Sequence, residues 1–122
     1  MSFSDFVAHR IADYPRVHRT RANLALHLFA GVPLFWAGLA LIAIGAARLS
    51  WVEAAAGAAC VLGSLVLEGA GHKRETETAE PFKGPLDFVI RYTFEQLFVF
   101  PHFVATGGWA RAWRQAGRAT SA

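Results

Sequence analysis

The chain has 122 residues, 54% of them apolar and 17% charged, with a formal net charge of +3 and a single cysteine. The apolar residues lie in long blocks, which argues against an ordinary soluble domain, and the basic residues flank those blocks without forming one patch, which argues against a nucleic-acid partner. A lone Cys60 excludes an intrachain disulfide.

The first twenty residues are polar and basic with no apolar core, so no cleaved signal peptide is expected. Residues 3–15 place Phe3, Phe6, Val7, Ile11 and Tyr14 at helical spacing, with Ser2 or Ser4 as cap and Pro15 as stop. This predicts a short helix lying in a membrane interface. Residues 20–47 contain "LALHLFAGVPLFWAGLALIAIGAA", in which only His27 is ionisable. At about 1.5 Å per residue the run crosses a hydrocarbon core of about 30 Å, with a kink expected at Pro33. After the tight turn "RLS", residues 51–72 supply a second span, carrying Ala55, Ala59 and Gly63 at four-residue intervals. That small-residue face suits close approach of another helix, including one from a second copy of the chain.

A polar loop over 73–87 follows, then a third apolar segment over 86–110 that carries Arg91, Glu95 and His102. This segment is expected to break near Pro101 and to re-enter or lie in the interface, with Arg91 and Glu95 forming a salt bridge one helical turn apart. Residues 111–122 read as a basic, frayed tail. Arg10, Arg16, Arg19 and Arg21 precede the first span, whereas the turn between the spans has only Arg48, so the N-terminus is expected on the cytoplasmic side. The fold class is thus an all-α integral membrane bundle of two spanning helices, a broken or re-entrant third segment and an N-terminal interfacial helix.

The polar residues inside these blocks carry the chemistry. Asn23, His27 and Gly31 are four apart on one helix face, so a side chain from another helix can lie over Gly31 and meet both polar groups. Nine residues at about 100° each put His18 on the opposite side of a continuous helix, so His18 and His27 act together only if the chain bends between them. Thr20 is the expected N-cap at that bend. "LEGAGHKRE" places Glu68, His72 and Glu75 on one face at spacings that suit shared metal ligation. Taken singly, His27 reads as a helix-to-helix hydrogen-bond donor, His18 and His72 as interfacial residues, and Glu75 as part of a solvated run with Glu77 and Glu80. Glu68 stands apart, because a carboxyl within a spanning run is costly unless it pairs or binds something. His102 and the aromatic residues of the third segment, with Trp109 and Trp113, read as core and interface packing.

The pattern His18, Asn23, His27, Gly31, Pro33, followed after a hydrophobic hairpin by Gly71-His72, resembles the Mpo-like family of small membrane proteins, whose characterised fungal member is an iron(II)-dependent dioxygenase of 2-hydroxy fatty acids. The resemblance covers roughly residues 14–81. Glu68 stands where the family commonly has Gln, Glu75 is three residues after His72 where the family tends to have Glu four after it, and "AEPFKGP" replaces a Pro-Ala pair. The tail looks like a bacterial subgroup, which implies a multi-pass protein of the bacterial inner membrane. The resemblance implies Fe(II) held by His18, His27 and His72, with Glu68 as a fourth ligand or its support and Asn23 orienting a ligand or the substrate carboxylate. It further implies O2 and a 2-hydroxy fatty acid as substrates, the acid losing one carbon as CO2. Two other readings use the same residues: a non-catalytic membrane interaction module with structural His and Glu, and a metal-dependent hydrolase or zinc site, since the ligand types do not select iron over zinc.

Overall fold

The computed structural model describes residues 2–121, which are helical apart from short connections and the longer loop over 73–84. Helix α1 (Phe3–Asp13) starts at a capping box in which Ser2 Oγ accepts from the Asp5 amide and Asp5 accepts from the Ser2 amide. A single 3₁₀ turn (Tyr14–Val17) containing Pro15 follows. Helix α2 (Arg21–Leu26) runs without interruption through a wide turn (His27–Gly31) into α3 (Val32–Ala47). In that turn the Val32 N–H reaches back five residues to His27 O. Pro33 has no N–H to offer and its ring crowds the carbonyl four residues earlier, and the extra residue in the wide turn accommodates both. The expected kink is therefore a π-type turn within a continuous helical run.

Arg48, Leu49 and Ser50 then reverse the chain, Leu49 adopting a left-handed φ of 53°, and Ser50 caps α4 (Trp51–His72). The runs Arg21–Ala47 and Trp51–His72 are each long and apolar enough to cross a membrane. They meet along small residues repeating every seven positions: Gly31, Gly38 and Gly45 on one side, Gly57, Ser64 and Gly71 on the other. A Cβ on Gly38 would lie 2.7 Å from Gly57 O, and one on Gly45 2.5 Å from the Ala54 amide, so backbones touch here. Seven-residue spacing is the signature of i±3 ridges packing into i±4 grooves. Ala55 and Ala59, expected in a helix contact, are exposed; the intramolecular seam runs along the neighbouring face.

The third segment differs from expectation. It is helical from α5 (Pro85–Phe94) through a second wide turn (Glu95–Val99) into α6 (Phe100–Ala105), and Pro101 sits inside it without a break. The reversal comes at Thr106 and Gly107, whose φ of 83° favours glycine. The expected frayed tail is instead helix α7 (Gly108–Ser121). Its Trp109 Nε1 donates to Leu24 O, its Trp113 lies under the Arg21 guanidinium, and Ala112 joins a core of Tyr14, Leu24, Val32, Val99, Phe100 and Phe103. This core backs the histidine end of the α3/α4 hairpin.

Candidate metal centre

The bend that His18 needs is present. Thr20, extended at φ −86°, ψ 145°, caps α2 by accepting from the Asn23 amide, and the chain before it folds back over the helix mouth. Glu75 fastens the fold. Its carboxylate accepts from the Arg19 and Thr20 amides, from Thr20 Oγ1 at 2.9 Å and from Asn23 Nδ2 at 3.0 Å. Burial opposes its ionisation, but these donors outweigh it and hold Glu75 below the usual carboxylate range. Next to it, Glu77 pairs with Arg16 and Arg19, and Glu80 pairs with His9 and Arg10, hydrogen bonds that bring Glu80 down to about 2. The acidic run expected to be merely solvated is the clasp that closes the N-terminal segment over the helix ends.

Inside the clasp, His18, His27 and His72 meet. One nitrogen of each lies within 4.8 Å of the others, and the three rings stand nearly perpendicular to one another with centroids 4.6, 4.8 and 5.1 Å apart. Tyr14 stacks on His18 at 3.7 Å and fixes that ring's plane. His18 Nδ1 lies 2.7 Å from Tyr14 O, and His27 Nδ1 lies 3.0 Å from Asn23 O. A carbonyl only accepts, so each Nδ1 carries the proton and each neutral ring turns a bare Nε2 lone pair inward. Those two Nε2 atoms face each other at 3.3 Å. Burial first, then the neighbouring His27 and His72, pushes His18 well below its ordinary range, so the ring is neutral at pH 7. Two lone pairs at that distance repel, and a cation between them is what they fit. Two imidazoles bound tetrahedrally at about 2.0–2.1 Å place their nitrogens about 3.3–3.4 Å apart.

Glu68 borders this cluster. Gly31, which ends the first wide turn, has no side chain where Glu68 Cγ lies, and Glu68 Oε2 comes within 3.7 Å of His27 Nε2. From the second wide turn, Gln96 Nε2 donates to the same oxygen at 2.6 Å. Glu68 Oε1 and His72 Nδ1 are buried without a hydrogen-bond partner among the described residues. Tyr92 Oη and Ser64 Oγ are 2.8 Å apart, and Ser64 donates to Gly31 O at 2.7 Å, tying α5 and α4 to the wide turn. A cavity of about 230 Å³ opens beside the three histidines and Glu68.

Of the site residues read from sequence, the structure brings His18, His27, His72 and Glu68 together, Glu68 next to the three-nitrogen group and not within it. Asn23 stands apart from the cavity: its side-chain amide donates to Val17 O and Glu75, and its backbone carbonyl accepts a hydrogen bond from His27 Nδ1, so it positions the His27 ring. Arg91 does not pair with Glu95. It reaches Asp87 at 3.5 Å and donates to the carbonyls of Glu80 and Pro81, while Glu95 is met by Arg10. His102 is exposed, away from the cluster. Sequence reading passed over Gln96, although its neighbour Glu95 stands six residues before Pro101 as His27 stands six before Pro33.

No family model matches the chain, and neither a curated protein nor a solved structure matches it.

Proposed function

We propose that this chain is a membrane-embedded, metal-dependent oxygenase that holds Fe(II) on His18, His27 and His72 and acts on 2-hydroxy fatty acids. The observation that carries the metal reading is the pair of inward Nε2 atoms at 3.3 Å, each with its other nitrogen committed to a backbone carbonyl. Three imidazoles leave coordination positions open, and the Glu68 carboxyl borders them, its Oε2 3.7 Å from His27 Nε2. When bound, iron would supply redox chemistry toward O2 and Lewis acidity toward a chelating 2-hydroxy acid. Glu68, whose Oε2 lies 3.7 Å from His27 Nε2 and is held there by Gln96, would be the carboxyl group nearest the substrate hydroxyl. Tyr14 and the Glu75 clasp shield the ligands from water. The balance is one 2-hydroxy acid and one O2 giving the acid one carbon shorter, CO2 and water, so no separate reductant is needed. The 2-hydroxy acid itself rests on the resemblance of the His18, Asn23, His27 and Gly71-His72 pattern.

Insertion of the hairpin in a bilayer, with the N-terminus cytoplasmic, is part of the same reading. Its support is the apolar surface turned outward: Phe29, Leu62 and Val66 are 72%, 64% and 72% exposed. The core helix of a soluble protein would bury such side chains. Anaerobic purification in detergent followed by metal analysis tests the centre. About one transition-metal ion per chain is expected, lost in His27→Ala and His72→Ala; a metal-free wild type, or undiminished metal in the variants, overturns the reading. Incubation of the iron-loaded protein with a 2-hydroxy acid and O2, followed by mass spectrometry, should reveal the acid one carbon shorter. Unchanged acid removes the substrate assignment.

A further inference from the structure

The cavity beside the histidines has two unlike walls. One is α4, where Leu65, Gly69 and His72 follow one another at spacings of four and three on a single face. The other is aromatic, with Phe88 and Tyr92 parallel at 5.7 Å and Phe82 edge-on to Phe88 at 4.8 Å, and it carries the Arg91 guanidinium over the Phe82 ring; Arg10, Asp13 and Glu95 also line the space. At about 230 Å³ the space is below the usual size of a pocket that encloses a drug-sized ligand, so a long chain cannot be contained in it. Gly69 is where the wall is open. Gly31, Gly38, Gly45, Gly57 and Gly71 are each crowded by a neighbouring helix, whereas a Cβ built on Gly69 meets nothing within 4 Å. Helix packing therefore does not require glycine at 69, although a glycine inside a helix costs about 0.5–1 kcal/mol relative to alanine.

We infer that the acyl chain of the substrate leaves the metal cavity over Gly69, between Leu65 on α4 and the rings of Phe82, Phe88 and Tyr92, which makes Gly69 the residue that determines which chains are admitted. This rests on the function proposed above and adds to it a route and a selectivity. The polar end of the acid sits by the histidines and Glu68, and the apolar chain passes an apolar gap one helical turn from His72. Outside that gap the hairpin presents Leu62 and Val66 to its surroundings, a continuous apolar path for the rest of the chain.

The test compares wild type with Gly69→Phe and Gly69→Ala, all iron-loaded. Native mass spectrometry would read binding of 2-hydroxy acids of six, twelve and eighteen carbons under anaerobic conditions. Metal content and helical circular dichroism should be unchanged in both variants. Gly69→Phe should weaken binding of the eighteen-carbon acid at least tenfold and that of the six-carbon acid much less, with Gly69→Ala weakened in the same order by a smaller factor. Equal binding of the long acid by Gly69→Phe and wild type overturns the route over Gly69 and leaves the oxygenase reading standing. Failure of the wild type to bind any of the acids overturns the substrate assignment and the route with it. If Gly69→Phe loses its metal or its fold, Gly69→Leu takes its place in the same comparison, and equal binding there overturns the route.

Discussion

The two wide turns have the same construction and opposite uses. Each is five residues long, each returns the following N–H to a carbonyl five residues back, and each stands just ahead of a proline, Pro33 or Pro101. The first ends in Gly31, where α4 comes so close that Glu68 fills the place of a side chain. The second ends in Val99, only 1% exposed, which fills the core instead. The first turn thus contributes His27 to the histidine cluster and makes room for a carboxyl group; the second contributes Gln96, which steadies that carboxyl group. The same local solution to a proline serves the histidine cluster in one place and the carboxyl group beside it in the other.

Breaking the first turn's contribution should have the largest effect. His27→Ala is expected to take bound metal from about one ion per chain to none, read by elemental analysis. Gln96→Leu, in the second turn, should retain the metal and lower turnover about 10–100-fold, the usual consequence of losing a hydrogen bond that orients a group at a metal site. Equal metal loss in both variants would erase the distinction. The two terminal positions sharpen it further. Gly31→Ala should displace Glu68, costing about 1–3 kcal/mol of stability from overpacking, and lower activity as well. Val99→Ala should cost about 1–3 kcal/mol as a core truncation with little change in metal binding. Paired thermal unfolding and metal titration distinguish them.

The clasp gives a pH-dependent prediction that applies only to the first turn's side of the molecule. Glu75 is held below its ordinary value of 4.5. As pH falls below about 4.5 the unfolded chain takes up this proton before the folded one, so the contribution is present above 4.5 and drains away on acidification. Wild type should therefore melt above Glu75→Gln at pH 7, and the gap should narrow as the pH falls below about 4.5. A constant gap across that range would show that the carboxylate charge is not what holds the fold closed. The smallest effect is expected from the tie between α3 and the second wide turn. Because the Phe100 N–H goes to Glu95 O and Pro101 has none, Gln96 O is left for Trp36 Nε1, which donates to it at 3.2 Å. Trp36→Phe should cost about 1 kcal/mol with metal content unchanged.

Much of the site could be read from spacing. Nine residues from His18 to His27 demanded a bend, and Thr20 supplied its cap; His72 closing the second apolar run placed it at the level of His27. The two long apolar helices follow from the length of the apolar runs, the second of them over Trp51–His72. What escaped the sequence depends on pairing across distance. The clasp by Glu75 needs Arg19 and Thr20 to have folded back first, and before that it is one acid in a charged run. Arg91 and Glu95 have the spacing of an ion pair, but Arg10 and Asp87 compete for them, and only the packing of α1 against the third helix decides. Helix α7 was hidden because Gly107, Gly108 and the arginines read as a loose end, while its apolar face acquires meaning from Leu24 and Tyr14. The seven-residue repeat of small residues, not the four-residue repeat of Ala55, Ala59 and Gly63, lines the seam within the hairpin.

That repeat gives the hairpin the property of a ruler. Gly45 is pinned against Ala54, Gly38 against Gly57, and Gly31 against Glu68, so each mark along one helix meets a fixed mark on the other. The turn at Arg48–Ser50 and the histidines lie at opposite ends of this scale, roughly 30 Å apart over about twenty residues at about 1.5 Å each. One residue added to or removed from the turn would slide every mark by one position, bringing side chains where glycines now touch and carrying Glu68 and His72 around the helix by about 100°. The length of the distal turn is thereby part of what brings the histidines together, and Leu49, left-handed so that the Ser50 N–H closes on Gly45 O at 2.8 Å, is the conformational cost of keeping that length at three.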